Sequence, residues 1–254
     1  MDRIHRQDGS DLLTRTVAPG VALGGLIIGI GLALKGPLDG ISHAEEAVNK
    51  DLAADRNGTW NTITAVWSQI GNTAGVIAVC IVVSSLLLWR TRDLRLALVA
   101  PVAIAMQGLI FLIAAKVVDR DRPQVEKLDA SPPTASYPSG HVGASTGLYL
   151  AFALLALGIE RAWLRWTTVI LCLAMPLLVA FSRLYRGMHH VTDVGAGVIN
   201  GAICALLAYG WYRHCTSRRR RSPAPRLAAA IRRGRSRPRP RPAGMRRSGT
   251  RSDS

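Results

Sequence analysis

Six segments of the chain are apolar, nearly free of charge and long enough to cross a bilayer. A hydrocarbon core of roughly 30 Å needs about 20 helical residues at a rise of about 1.5 Å each. Together with a hydrophobic content of 49%, this pattern predicts an all-α, polytopic membrane bundle. The predicted spans are 16–34, 72–89, 96–115, 142–159, 166–181 and 194–212. We expect the first to be a permanent span, because no small-residue cleavage pattern follows it.

The formal net charge of +16 comes almost entirely from the end of the chain. Residues 213–254 hold fifteen arginines and one aspartate. Such a composition cannot form an apolar core. We therefore expect a cytoplasmic N-terminus (1–15), a six-span domain (16–212) and a disordered cytoplasmic tail (213–254). The tail is expected to enforce orientation, with attraction to anionic lipid as a second interpretation. It has no interleaved aromatic residues for stacking, so no specific nucleic acid is expected.

The connections between the spans differ in their content of Lys and Arg, and this bias predicts orientation. The loops after the second and fourth spans are basic, with Arg90, Arg92, Arg95, Arg161 and Arg165. We therefore expect these loops and both termini in the cytoplasm. The connections 35–71, 116–141 and 182–193 then face outward. Apolar residues recur at helical spacing in the first of these, which predicts helices along the membrane interface.

The polar residues that could bind a ligand or react fall in three clusters of the second and third outward connections. These are KVVDRDRP (116–123), YPSGH (137–141) and SRLYRGMHHVTD (182–193). An arginine guanidinium can donate hydrogen bonds to two phosphate oxygens at once, and a serine hydroxyl can donate to the same phosphate. A helix that starts near Gly140 would also point its N-terminal amides at an anion. The clusters therefore predict a phosphate site that includes Lys116, Arg122, Arg183 and Ser139.

The histidines of the same clusters supply reactive groups. His189 and Asp193 are four residues apart, so a helix would place them on one face, where the carboxylate could accept a hydrogen bond from the ring. The other nitrogen of the neutral ring is then a nucleophile toward phosphorus. His141 is suited to protonate the departing oxygen. The four cysteines suggest neither a disulfide framework nor a metal cluster, and we expect no metal or cofactor.

The patterns KxxxxxRP, PSGH and SRxxxxxHxxxD, in this order, resemble the three signature motifs of the type 2 phosphatidic acid phosphatase family. This family is part of the acid phosphatase and vanadium haloperoxidase superfamily, and the resemblance covers roughly residues 59–212. It implies that His189 is the nucleophile and forms a phosphohistidine, that His141 is the general acid and that Asp193 orients His189. It also implies a metal-independent reaction. The phosphate-binding residues implied are Arg122, Ser139, Gly140, Arg183 and Lys116.

The first motif departs from the family pattern, because five residues separate Lys116 from Arg122 where the family usually has six. One residue on a helix is a rotation of about 100°. Two outcomes stay open: the long side chain of Lys116 reaches the phosphate, or Arg120 takes its place. We expect His190, which faces another direction than His189, to be structural.

The resemblance implies a multi-pass plasma-membrane enzyme that hydrolyses a phosphomonoester or diphosphate of an amphiphilic lipid at the outer face. Candidate substrates are polyprenyl diphosphates such as undecaprenyl diphosphate, phosphatidic acid and phosphatidylglycerol phosphate. The expected partners are this lipid and the bilayer. A transporter and a non-catalytic lipid-binding relative stay open as alternatives. The near absence of ionisable residues in the spans argues against the first, and the intact His189, His141 and Asp193 argue against the second.

Overall fold

The computed structural model describes residues 6–130 and 135–221, and the regular elements within these ranges are helices. They are α1 (Arg6–Leu12), a π-helical segment (Leu13–Val17), α2 (Ala18–Lys35), α3 (Asp39–Ala54), α4 (Gly58–Ile70), α5 (Thr73–Thr91), α6 (Leu94–Val118), α7 (Gly140–Ala156), α8 (Ala162–Tyr185) and α9 (Val191–Arg221). The prediction of an all-α bundle is confirmed.

Five helical segments of the described chain are long and apolar enough to cross a membrane. They are Arg6–Lys35, Thr73–Thr91, Leu94–Val118, Ala162–Tyr185 and Val191–Arg219. The remaining predicted span, 142–159, corresponds to the shorter apolar helix α7, whose 17 residues extend about 25 Å at the usual helical rise. The chain is therefore a multi-pass membrane protein.

The first and last helices extend beyond their predicted spans. Helix begins at Arg6 and passes through the π-helical segment just before Pro19, where proline has no N–H to donate to the preceding turn. Asp8 is buried and pairs with Arg95 of α6, with 3.0 Å between the charged atoms, so the start of the helix is fixed to the bundle. The helix α9 continues past the predicted end at 212 to Arg221. Residues 222–254 of the predicted tail lie outside the described residues.

Close packing of α7 against α9 brings the second and third motifs together. A Cβ atom at Gly197 would lie 2.7 Å from the carbonyl oxygen of Ser139, and one at Gly201 would overlap the carbonyl oxygen of Gly143. Small residues allow helices to approach this closely in a bilayer. The amide of Ser139 also donates to the carbonyl oxygen of Asp193 at 2.9 Å. The start of α7 is therefore fixed against the first turn of α9.

The predicted outward connection 35–71 forms α3 and α4, as the helical spacing indicated. The helix α4 packs on α8 through a cluster of rings with centroids 5.8 to 6.2 Å apart, which are those of Trp60, Trp67, Phe181 and Tyr185. The helix α3 is fixed to the start of α9 by Glu45, which accepts hydrogen bonds from the amide and the hydroxyl of Thr192 at 2.6 and 2.9 Å. The three predicted outward connections therefore meet at one end of the bundle.

Candidate active site

A cavity of about 450 Å³ lies between α5, α6 and α7 and reaches the turn before α9. Its polar end is lined by Arg122, His141, Arg183 and His189. Much of the remaining wall is apolar and includes Val76, Ile77, Ile104, Phe111 and Leu112. The three motifs therefore converge on one end of a cavity that is otherwise suited to a hydrocarbon chain.

The backbone of Ser136 positions the buried ring of His189. The Nδ1 atom of His189 lies 2.7 Å from the carbonyl oxygen of Ser136. Because that oxygen can only accept, Nδ1 carries the proton and Nε2 of the neutral ring keeps its lone pair. Burial first, and then the charge of Arg183, hold the pKa of His189 well below its ordinary value, although Asp193 acts in the opposite direction. His189 is therefore neutral at neutral pH, as a nucleophilic imidazole must be.

The direct hydrogen bond expected between Asp193 and His189 is not formed. The Oδ2 atom of Asp193 is 4.0 Å from Nδ1 of His189, beyond hydrogen-bonding distance. It accepts instead from the hydroxyl of Ser136 and, at 2.8 Å, from the amide of His190. The physical reason is that α9 begins at Val191, so His189 lies in the preceding turn and not on the helical face of Asp193. The carboxylate therefore acts on His189 through Ser136.

Arg120 is buried and holds Asp193 in place. Its Nη1 atom donates to Oδ1 of Asp193 at 2.6 Å, and its Nη2 atom donates to Glu45 at 3.0 Å and to Ser42 at 2.7 Å. Both ends of the guanidinium are thus engaged by the protein. Arg120 therefore does not substitute for Lys116 at the phosphate, which was one of the two outcomes left open by the sequence.

Lys116 does not reach the cavity either. Its side chain is exposed in the last turn of α6, and it is not among the residues that line the cavity. Ala115, one residue earlier, is buried, and a lysine with the usual family spacing would stand at that position. Because α6 continues as a helix to Val118, the shift of one residue turns Lys116 to the outside. The structure thus does not bring Lys116 to the predicted phosphate-binding residues.

Arg122 lines the cavity, and Ser139 directly precedes the lining residues Gly140 and His141 in the chain. Ser139 precedes the first residue of α7 and is buried, and its Oγ atom has no hydrogen-bond partner among the described residues. The first amides of α7 have no side-chain cap, so they and this hydroxyl can donate to an anion. Arg122 donates from Nη1 to the carbonyl oxygen of Met188 at 2.7 Å, which fixes it beside His189. Burial lowers the pKa of Arg122, and the charge of Asp193 opposes this.

Gly140 is needed for packing as well as for the predicted approach of an anion. A Cβ atom at this position would lie 2.8 Å from the ring of Phe111. Phe111 and Gly140 both line the cavity. Any side chain at 140 would therefore displace the aromatic wall of the cavity beside the candidate phosphate position.

Arg183 is held by a carboxylate that lies outside the motifs. Asp129 accepts from Nη1 of Arg183 at 2.6 Å and pairs with Nη2 of Arg186 at 2.7 Å. The Nη1 atom of Arg183 also donates to Ser68 at 2.7 Å. Burial tends to raise the pKa of Asp129, but the hydrogen bond from Arg186 and the charges of both arginines hold it below its ordinary value. The Nε atom of Arg183 is buried without a partner in the described part of the chain, and it remains available to a ligand.

Two solved structures share this fold. The first transmembrane PAP2 type phosphatidylglycerolphosphate phosphatase from Bacillus subtilis has a TM-score of 0.66 at 20% identity, and the alignment covers 77% of this chain and 96% of that chain. LpxE of Aquifex aeolicus has a TM-score of 0.51 at 16% identity, with coverage of 65% and 93%. No curated protein sequence matches this chain.

A family model, that of the PAP2 superfamily, matches residues 96–217. The matched segment extends from the start of α6 to the end of α9 and contains all three motifs. Helices α3 and α4, which supply Glu45 and Ser68, precede it. Residues 96–217 of the chain thus match the PAP2 superfamily, and the family resemblance predicted from the three motifs is confirmed.

Proposed function

We propose that this protein is a membrane lipid phosphatase that cleaves a phosphomonoester or diphosphate through a phosphohistidine at His189. The cavity carries the proposal, because two arginines and two histidines line one end of it and apolar side chains line much of the rest. A lipid phosphate has the same division into a charged head and an apolar chain. The name of the Bacillus subtilis structure, a phosphatidylglycerolphosphate phosphatase, supports a lipid phosphate as substrate.

In the first step, Nε2 of His189 attacks phosphorus, a P–N bond forms and the P–O bond to the lipid breaks. His141 donates a proton to the leaving oxygen. The charge of the bound phosphate favours the protonated form of His141 before this transfer. Arg122 and Arg183 bind the equatorial oxygens and stabilise the charge that is spread over them in the transition state.

In the second step, water attacks phosphorus while His141 accepts its proton. The P–N bond breaks, orthophosphate leaves and His189 returns to its neutral form. The phosphorylated ring with its proton on Nδ1 is cationic, so the charge of Asp193 at 4.0 Å stabilises this intermediate. The carbonyl oxygen of Ser136 keeps the Nδ1 proton in place through both steps.

We place the active site at the outer face of the cell membrane. The basic connections at Arg90 to Arg95 and Arg161 to Arg165 join the opposite ends of the helices, and such connections face the cytoplasm. The candidate substrates are phosphatidic acid, phosphatidylglycerol phosphate and polyprenyl diphosphates. A membrane-impermeant inhibitor added to intact cells would test the placement. Inhibition that appears only after permeabilisation would overturn it.

Phosphate release from these lipids by the purified protein, in the presence of a metal chelator, tests the activity. We expect release by the wild-type protein, inhibition by vanadate, and a loss of at least about 100-fold in His189→Ala and in His141→Ala. His43→Ala is the matched control, because His43 is exposed on α3 and does not line the cavity. Full activity of His189→Ala, or a strict requirement for a divalent metal, would overturn the mechanism. Lipid flux across vesicles that survives both changes would favour a transporter.

A further inference from the structure

We infer that Asp129 selects phosphomonoesters over diphosphates, because it places a negative charge on the side of the site where the second phosphate of a diphosphate would lie. The inference rests on the proposed function and narrows its substrate class. Asp129 belongs to none of the three motifs, and it follows α6 in the connection that leads to α7.

Asp129 occupies a ready anion site built by three other elements of the chain. Its two oxygens are bound by Arg183 at the end of α8 and by Arg186 in the following turn. The hydroxyl of Ser68 on α4 donates to the same carboxylate at 3.2 Å. Two guanidinium groups and a hydroxyl are also the kind of hydrogen-bond donors that bind a phosphate. The carboxylate of Asp129 therefore stands where an additional phosphate could bind.

This anion site lies on the leaving-group side of the reaction. Arg183, which Asp129 binds at 2.6 Å, lines the same end of the cavity as His141, the residue proposed to protonate the leaving oxygen. The end of α4 also packs there, since a Cβ atom at Gly71, three residues after Ser68, would lie 3.0 Å from the carbonyl oxygen of His141. His189 attacks from the opposite side of phosphorus in an in-line displacement. A diphosphate would thus direct its second phosphate toward Asp129.

The balance of charge at the two positions favours a single phosphate. A phosphomonoester carries a charge of about −1.5 to −2 at neutral pH, which the net charge of Arg122, Arg183 and Arg186 together with Asp129, three cations and one anion, already matches. The single negative charge of Asp129 is shared between Arg183 and Arg186, with 2.6 and 2.7 Å between the charged atoms. A second phosphate would lie next to the carboxylate of Asp129, and none of these groups supplies a further cation to neutralise it. Like charges at short distance in a partly buried site repel strongly.

The test compares two lipids with the same chain, farnesyl monophosphate and farnesyl diphosphate, as substrates of the purified protein. We expect wild-type kcat/KM to be higher for the monophosphate. Asp129→Asn, which keeps the shape and removes the charge, should shift the ratio of kcat/KM by at least about tenfold toward the diphosphate. Glu126→Gln, an exposed change in the same connection, is the matched control and should leave the ratio unchanged.

A second measurement uses the wild-type protein alone and does not depend on the folding of a variant. We expect the non-hydrolysable methylenediphosphonate to inhibit no more strongly than methylphosphonate. A diphosphonate that binds wild type more than about tenfold more tightly than the monophosphonate would overturn the inference. So would an unchanged substrate ratio in Asp129→Asn while wild type hydrolyses both lipids. If wild type releases phosphate neither from these two lipids nor from phosphatidic acid and phosphatidylglycerol phosphate, the proposed function fails and the inference falls with it.

Discussion

The carbonyl oxygen of Ser136 lies 2.7 Å from Nδ1 of His189, while the hydroxyl of the same serine donates to Asp193. One residue thus connects the carboxylate of the third motif to the ring that it was expected to bind directly. Asp193 is held in turn by Arg120, which also pairs with Glu45 on α3. The orientation of His189 therefore depends on a chain of buried contacts that begins outside the family-matched segment.

Removing the charge of Asp193 should slow the reaction more than removing the hydroxyl of Ser136. Asp193→Asn leaves Arg120 facing an amide and loosens the support of Ser136, so we expect kcat to fall by about 10- to 100-fold with little change in KM. Ser136→Ala keeps the carbonyl oxygen that binds His189, and the loss of one hydrogen bond should lower kcat by no more than about fivefold. Steady-state kinetics would check both variants. A larger loss in Ser136→Ala would show that the hydroxyl itself takes part in the reaction.

Lys116→Ala should have little effect on activity. The side chain is exposed and does not line the cavity, so kcat/KM should stay within about twofold of wild type. Arg122→Ala is the matched change in the same motif and should lower kcat/KM by at least about tenfold, because it removes charge-assisted hydrogen bonds to phosphate. Equal losses in the two variants would show that Lys116 swings toward the phosphate when substrate binds.

The spans and the motif residues were predictable because they depend on local pattern. Apolar runs determine which segments enter the bilayer, and each of the six predicted spans coincides with a helical segment, although the first and last helices extend further. The spacing of SRxxxxxHxxxD places Arg183 and His189 at the two ends of one turn, and both line the cavity. The direct hydrogen bond predicted between Asp193 and His189 is not formed, since the spacing assumes one continuous helix and α9 begins only at Val191.

The residues that hold the motif side chains in place could not be predicted, because only tertiary contacts identify them. Glu45 is one of several acidic residues on an amphipathic helix, and nothing in its neighbours distinguishes it from Glu46. Asp129 is one of four acidic residues in the irregular connection between α6 and α7, and its role depends on Arg183 and Arg186, which are more than fifty residues away. Ser136 acts through its backbone carbonyl as well as its hydroxyl, and a carbonyl has no sequence signal.

The burial of His189 should make the protein less stable in acid. Its pKa is held well below its ordinary value, whereas in the unfolded chain the ring titrates near about 6.5. As the pH falls below about 6.5, the unfolded state therefore binds more protons, and the stability present above this pH is lost toward the folded pKa. The melting temperature in detergent should fall more steeply between about pH 7 and 5 for wild type than for His189→Gln. His43→Gln should follow wild type, and parallel curves for wild type and His189→Gln would contradict the prediction.

Gly140→Ala should lower activity because the added methyl group displaces Phe111, and not because it blocks the approach of phosphate to the backbone. The added Cβ atom would lie 2.8 Å from the ring, and overpacking of this kind costs about 1–3 kcal/mol, so we expect kcat/KM to fall by about tenfold. Phe111→Leu shortens the opposing side chain and should restore most of the activity in the double variant, measured against Phe111→Leu alone. If the glycine were needed only for the approach of phosphate to the backbone, the second change would restore nothing, because the methyl group would still stand at the phosphate.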